Sequence, residues 1–365
     1  YTLTATASGL TSAVSNAFTI SAGTGKKLVF TTQPPTTGIA GVAFGAVVQV
    51  QDANGNLVTS SSARVTIGSL SVFASGGVAT FTNLVLTTAG SYTLTATSTG
   101  LTSATSSSIT IVGGDASQLA FTVQPTSTTA GSALSPAPKV TVLDAYGNPV
   151  NSAAVITIDP VSVAASNGVA TFSSLALTTA GTYTLTATSP GLASAVSNSF
   201  TISAATAYQL GFSTEPPSSV TAGASFGASV QVQDRYGNLV SSASKSITIG
   251  STSRTTVSGV ATFTNLQLTT AGVYTLTATA SAVISAVSTP VTVTPALAAK
   301  LAFAVQPTSG TAGDALSPAP AVAIQDTYGN VVASTSGVTI GSTTVNAVAG
   351  VATFPNLVYT TAGTF

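Results

Sequence analysis

The 365-residue chain has no cysteine, histidine, methionine or tryptophan, and almost no charge. Without cysteine there is neither a disulfide nor a thiolate metal site. Without histidine no Ser–His pair can form a nucleophile, and no side chain has an ordinary pKa between pH 5 and 8. The 8 basic and 8 acidic residues make 4% of the chain, against roughly 25% in an average soluble protein. So neutral a surface exerts no long-range pull on nucleic acid or anionic lipid. Nothing approaches the ~18 consecutive apolar residues of a membrane span, so no membrane insertion of this segment is expected. The missing initiator methionine and signal peptide are expected of a processed product or a window on a longer chain.

The place of charge is taken by Thr, Ser, Ala and Gly, and these fall into a repeat. Tyr1, Tyr92, Tyr183 and Tyr274 follow one another at 91 residues, with Phe365 next in the series. GVATF begins at Gly77, Gly168, Gly259 and Gly350, again at 91. Gln33, Gln124, Glu215 and Gln306, each before a proline, keep the same step. Three independent markers on one period identify tandem units. A fourth marker wobbles: Asp52, Asp144, Asp234 and Asp326 stand 92, 90 and 92 apart. Units one and three carry AGVAFGAVVQVQD and AGASFGASVQVQD, whereas units two and four carry AGSALSPAPKVTVLD and AGDALSPAPAVAIQD. The alternation fits two kinds of neighbour contact or the duplication of an ancestral pair, the second being favoured.

Within each unit the pattern has period two. In YTLTAT, Tyr183, Leu185 and Ala187 face one way and Thr184, Thr186 and Thr188 the other, as in a half-buried strand. Leu28 with Phe30, and Leu119 with Phe121, share a face in the same manner. In GVATF, Val169 with a Thr or Phe neighbour is expected to face inward, its register left open by a bend before Leu175. No window has a helical period. Short β-branched strands with turn signals every 8–12 residues predict an all-β sandwich. The A-G-x-Y phrase suits a tyrosine corner, with Tyr1, Tyr92, Tyr183, Tyr274 and, in the last unit, Phe365 at that place. An ordinary strand tyrosine is the alternative.

DAYGNPV, GVATF and TTAGTYTLTATSPGL together resemble bacterial immunoglobulin-like domains of the invasin and intimin type, over the whole chain and four times. The resemblance implies stalks and spacers of surface adhesins, with binding in a separate terminal domain. The expected fold class is therefore all-β: tandem immunoglobulin-like β-sandwiches on a 91-residue repeat, arranged end to end. The expected division is 1–22 (a unit's last two strands), 27–112, 118–203, 209–294, and 300–365 (a unit's first five strands). Linkers of about half a dozen residues would limit bending between units. Residues 1–22 and 300–365 would together make one unit, either because the chain is part of a longer run, which is favoured, or because one copy's leading strands complete its neighbour.

Chemical candidates are few. Asp52, Asp144, Asp234 and Asp326, each before Gly-Asn, read as capped turns in which Gly and Asn accept left-handed angles. Calcium is the alternative, but it wants six to eight oxygens and each unit offers one recurring carboxylate. Ser244 beside Lys245 is a formal nucleophile–base pair found in one unit only. Lys27 and Lys300 are candidates for a Lys–Asn crosslink, yet Gln118 and Gln209 hold that position elsewhere. Thr-x-Thr rows read as solvent faces rather than ice-binding ranks. Tyr146, Tyr236 and Tyr328 are scattered aromatics that serve a ligand or pack on the next domain. No catalytic residue, cofactor or metal is expected. The reading is an extracellular or cell-surface fibre or adhesin stalk whose partners are copies of itself. The alternative is a carbohydrate- or receptor-binding module of an adhesin, with surface glycans or other cell-surface proteins as partners.

Overall fold

Thr, Val, Tyr and Phe favour the pleated, half-buried surface on which their branched or aromatic side chains pack, and strands are what these segments form. The computed structural model describes residues 1–364; Phe365, the last of the tyrosine series, lies outside the described residues. The described residues form strands, turns and loops throughout, and no helix among them is long and apolar enough to cross a membrane. The chain divides into two compact units. One comprises Tyr1–Thr128, Ala133–Ala176 and Thr182–Thr201, the other Thr129–Ser132, Leu177–Gly181 and Ile202–Phe365.

In the first unit, residues 27–112 show the sandwich most fully. One sheet has the order Lys27–Thr32, Phe44–Gln51, Val78–Leu84. The facing sheet has the order Ala104–Thr105, Thr95–Thr97, Arg64–Ile67, Leu70–Phe73. Between them lie Leu28, Val48, Val65, Phe81 and Ala96. A third ladder pairs Thr37–Ile39 parallel to Ile109–Val112, which is antiparallel to Gly90–Tyr92. Two facing antiparallel sheets with one parallel pair at the margin make an immunoglobulin-like sandwich. In the second unit, residues 209–294 repeat it, with a core built on Leu210, Val230, Ile247, Phe263 and Ala278.

The register of GVATF differs from the expectation. Ala170 and Phe172 are buried, while Val169 is half-buried and Thr171 exposed. A two-residue hairpin fixes this. Ser166 bridges Val169 across Asn167 (φ 50°) and Gly168 (φ 80°), the left-handed pair of a type I′ turn. With the turn set, Phe172 takes the core position, where its larger apolar area gains most from burial.

The alternation between units also has a structural counterpart. In repeats one and three, eight-residue strands Phe44–Gln51 and Phe226–Gln233 pair with seven-residue strands Val78–Leu84 and Val260–Leu266. In repeats two and four the partners are Lys139–Leu143 with Val169–Thr171, and Ala321–Asp326 with Val351–Thr353. The cause is Pro136 and Pro138, and Pro318 and Pro320, which stand where the longer strand would begin. Proline has no N–H to give a ladder, so pairing stops once Phe172 N and Phe354 N have donated to Pro138 O and Pro320 O.

At the two extremities apolar side chains face solvent. Thr4–Ala5 pairs with Ala13–Val14, and Tyr1 lies 6.2 Å from Phe18, centroid to centroid. Tyr1, Leu3, Leu10 and Val14 are exposed. Leu301 and Phe303 are exposed, where their counterparts Leu28 and Phe30 are buried.

Candidate functional site

The four recurring aspartates occupy the same short loop. Asp52 Oδ1 accepts the N–H groups of Asn54 and Asn56, and Oδ2 accepts Asn56 Nδ2 and Gly23 N, all at 2.9 Å. Asp144 accepts Tyr146 N, Asn148 N, Asn148 Nδ2 and Gly114 N at 2.8–2.9 Å. Asp234 and Asp326 repeat the set, with Ala205 N and Ala296 N as the linker donors. The local partners lie two and four residues on, the geometry an Asx turn requires. Each carboxylate thus ties its own turn to the linker entering its repeat.

Ionisation of these carboxylates is favoured. At Asp52 the Asn56 amide, with the backbone N–H groups of Gly23 and Asn56, lowers the pKa to about 2. At Asp144 burial disfavours the charge, but the Asn148 amide and three backbone N–H groups outweigh it and hold the pKa at about 2. Burial is likewise outweighed at Asp326, also at about 2, and at Asp234, which is lowered. Both oxygens of each carboxylate already face N–H donors, which a calcium ion would have to displace and replace with oxygens. Among the described residues no three His, Cys, Asp or Glu side chains gather as metal ligands.

The asparagine four residues on does more than cap. Asn148 Oδ1 accepts Ala89 N at 2.8 Å and Asn148 Nδ2 donates to Thr87 O at 2.8 Å. Ala89 and Thr87 belong to the TTAG corner of the preceding repeat. In the second unit, Asn238 accepts from Ala180 N and donates to Thr178 O, and Asn330 accepts from Ala271 N and donates to Thr269 O. The loops 129–132 and 177–181, part of repeat two by sequence, belong to that unit and meet the Asp234 loop there. By residue type both Gly and Asn accept left-handed angles in this loop. The structure gives them to Gly55, Gly147, Gly237 and Gly329, while the asparagines stay outside that region. Recurrence at a fixed offset from Asp was the only signal of their role.

Tyr146, Tyr236 and Tyr328 pack backward rather than on the next domain. Their rings lie so close over Gly41, Gly131 and Gly223 of the preceding repeat that a Cβ there would overlap them. These glycines also have φ of 78–79°, which side chains other than glycine rarely adopt. Repeat one has Asn54 at the tyrosine position.

The A-G-x-Y tyrosines follow directly on the same corners. Tyr92 Oη donates to Thr88 O at 3.0 Å, and its ring joins the cluster of Ala40, Ile109 and Ile111. Tyr183 lies 6.2 Å from Phe200, as Tyr1 does from Phe18. Tyr274 lies against Gly272 as Tyr92 does against Gly90. The marker before proline also has work: Gln33 and Gln124 Oε1, and Glu215 Oε2, accept the N–H of Ser107, Asn198 and Thr289, 74 residues on. Of the remaining candidates, Lys245 Nζ donates to Ser281 O at 3.0 Å, Lys300 Nζ to Thr327 O at 3.4 Å, and Gln118 Nε2 to Asp144 O at 2.9 Å.

No family model and no curated protein matches the chain. The adhesin FdeC of Escherichia coli is similar at 16% identity, over 75% of this chain and 99% of that one, with a TM-score of 0.35. InvD of Yersinia pseudotuberculosis is 17% identical over 72% of this chain and 96% of that one, TM-score 0.32. Titin domains I67–I69 are 16% identical over 74% and 99%, TM-score 0.27. The fold rests on the strand pairings described above and not on these overlays.

Proposed function

We propose that this chain is a non-enzymatic structural component of an extracellular filament or adhesin stalk, made of tandem immunoglobulin-like repeats. One observation carries the reading: three successive joints are built alike, each from an Asp–Asn loop clamped on the TTAG corner of the repeat before it. A binding module has no need of identical joints at every step, whereas a spacer that must hold its length does. The recurring aspartates act as structural turns and the recurring tyrosines as corners that shape the surface the asparagine grips. The groove beside Phe303, Leu316 and Leu357 takes a strand pair of the Tyr1–Ile20 kind. That pair follows in the same polypeptide or comes from a neighbouring copy by strand addition. The denatured mass of the natural protein separates the two: 35.4 kDa for strand addition, several times more for a longer run.

Small-angle scattering of the whole chain tests the clamp. The triple variant Asn148→Ala, Asn238→Ala, Asn330→Ala should scatter as a more flexible chain while its circular dichroism stays β. If the unaltered chain is as flexible as the variant, the clamp does not do what is proposed. A carbohydrate-binding module is the second reading, favoured by the exposure of Tyr146 (57%), Tyr236 (43%) and Tyr328 (47%). A glycan array blank for the whole chain decides against it.

A further inference from the structure

The two kinds of repeat present different edges. In repeats one and three the strands Val78–Leu84 and Val260–Leu266 stand at the margin of their sheets, paired on one side only. Both read VATFTNL. Val50 N donates to Gly77 O, so by antiparallel alternation Ala79 and Phe81 also bond inward. The peptide groups of Thr80 and Thr82, and of Thr262 and Thr264, therefore point away from the sheet. Natural edges are commonly blunted by lysine, proline or an inward charge. These strands have no charged residue and no proline, and their threonines are exposed. Val78 and Val260 already exchange both outward bonds with Ser75 and Val257, and a bulge opposite Gly45 interrupts the regular pairing after Phe81, which leaves Thr80–Thr82 and Thr262–Thr264 as the open edge. Repeats two and four differ: their edge strand is three residues long, Lys139 lies opposite Thr171, and Pro355 follows in repeat four.

We propose that the edges Thr80–Thr82 and Thr262–Thr264 are lateral pairing sites, each binding the same strand of a second copy of this chain in antiparallel register. Identical strands are self-complementary about a two-fold axis. Thr80 of one copy then meets Thr82 of the other, a favourable cross-strand pair. A chain with net charge of zero adds no repulsion between copies. The repeats with short edges are spacers between such sites. This goes beyond the stalk reading and uses none of the joint residues, so either can fail alone.

Sedimentation velocity of the whole 365-residue chain over a dilution series tests it. The unaltered chain should gain mass with concentration. The double variant Thr80→Pro, Thr262→Pro removes only outward N–H groups and should weaken association about tenfold or more, as expected for losing at least one backbone hydrogen bond per edge. Thr80→Lys with Thr262→Lys, which keeps the backbone intact, should do the same. Thr171→Pro with Thr353→Pro, at the same place on the short edges, should leave association unchanged. Circular dichroism and melting establish that each variant is folded. An unaltered chain that stays monomeric to about 1 mM overturns the proposal, as does association that both folded edge variants retain.

Discussion

Truncating Asn148 to alanine removes three hydrogen bonds: one to Asp144 inside the loop, and those to Ala89 N and Thr87 O of the preceding repeat. Two of the three reach the backbone of the preceding repeat. Each is worth about 0.5–1.5 kcal/mol net, so the joint alone should cost about 1–3 kcal/mol. That is a sizeable share of the roughly 5–15 kcal/mol that holds a domain together. Urea unfolding gives the energies, and amide exchange gives the place. Ala89 N should lose protection in Asn148→Ala, while Ala180 N and Ala271 N, held by Asn238 and Asn330, should keep theirs. A cost under about 1 kcal/mol with Ala89 exchange unchanged would refute the reasoning.

Gly168→Ala should cost more than about 2 kcal/mol, because φ is 80° and the new Cβ would overlap Val150 O. Gly147→Ala, with φ of 86° but open space around it, should cost only the ~1–2 kcal/mol of the left-handed backbone; chemical denaturation ranks the two. Phe172→Ala, at a position 1% exposed, should cost about 3–5 kcal/mol and soften repeat two in thermal melts ahead of its neighbours. The aspartates have folded pKa values held below the unfolded value of about 3.9. Their contribution is complete above pH ~4 and is lost as pH falls below that, through about 2 for Asp52, Asp144 and Asp326. With no histidine, Tm should be flat from pH 5 to 8, and a step near pH 6–7 would contradict this. Calcium or a chelator should leave Tm unchanged, because N–H donors fill both oxygens of each loop carboxylate; a calcium-dependent rise would restore the metal reading.

The Asp loop was legible because its turn is local: the donors to Asp144 Oδ1 lie two and four residues on. The asparagine's second role was not, because Thr87 and Ala89 lie 61 and 59 residues earlier. The same holds for Tyr146 over Gly41 and for Gln33, whose partner amide is 74 residues away. Recurrence marks such residues as kept without saying what they touch. The alternation between repeats was visible as SPAP against FGAV, but its meaning needed the partner strand, which shortens because the prolines offer no N–H.

The sequence by itself determined the 91-residue period, the strand character of YTLTAT and KLVF, and the capped turn at each aspartate. All of these follow from side-chain chemistry within a few residues, where period two and Asx geometry operate. Only the tertiary structure decided that Phe172 and not Val169 enters the core, that Asn148 grips the repeat before it, and that the VATFTNL strands of two repeats run longer than their counterparts. A period-two pattern reads equally well when slipped by one residue. The slip is resolved only when a distant strand arrives to bury one face and leave the other to water.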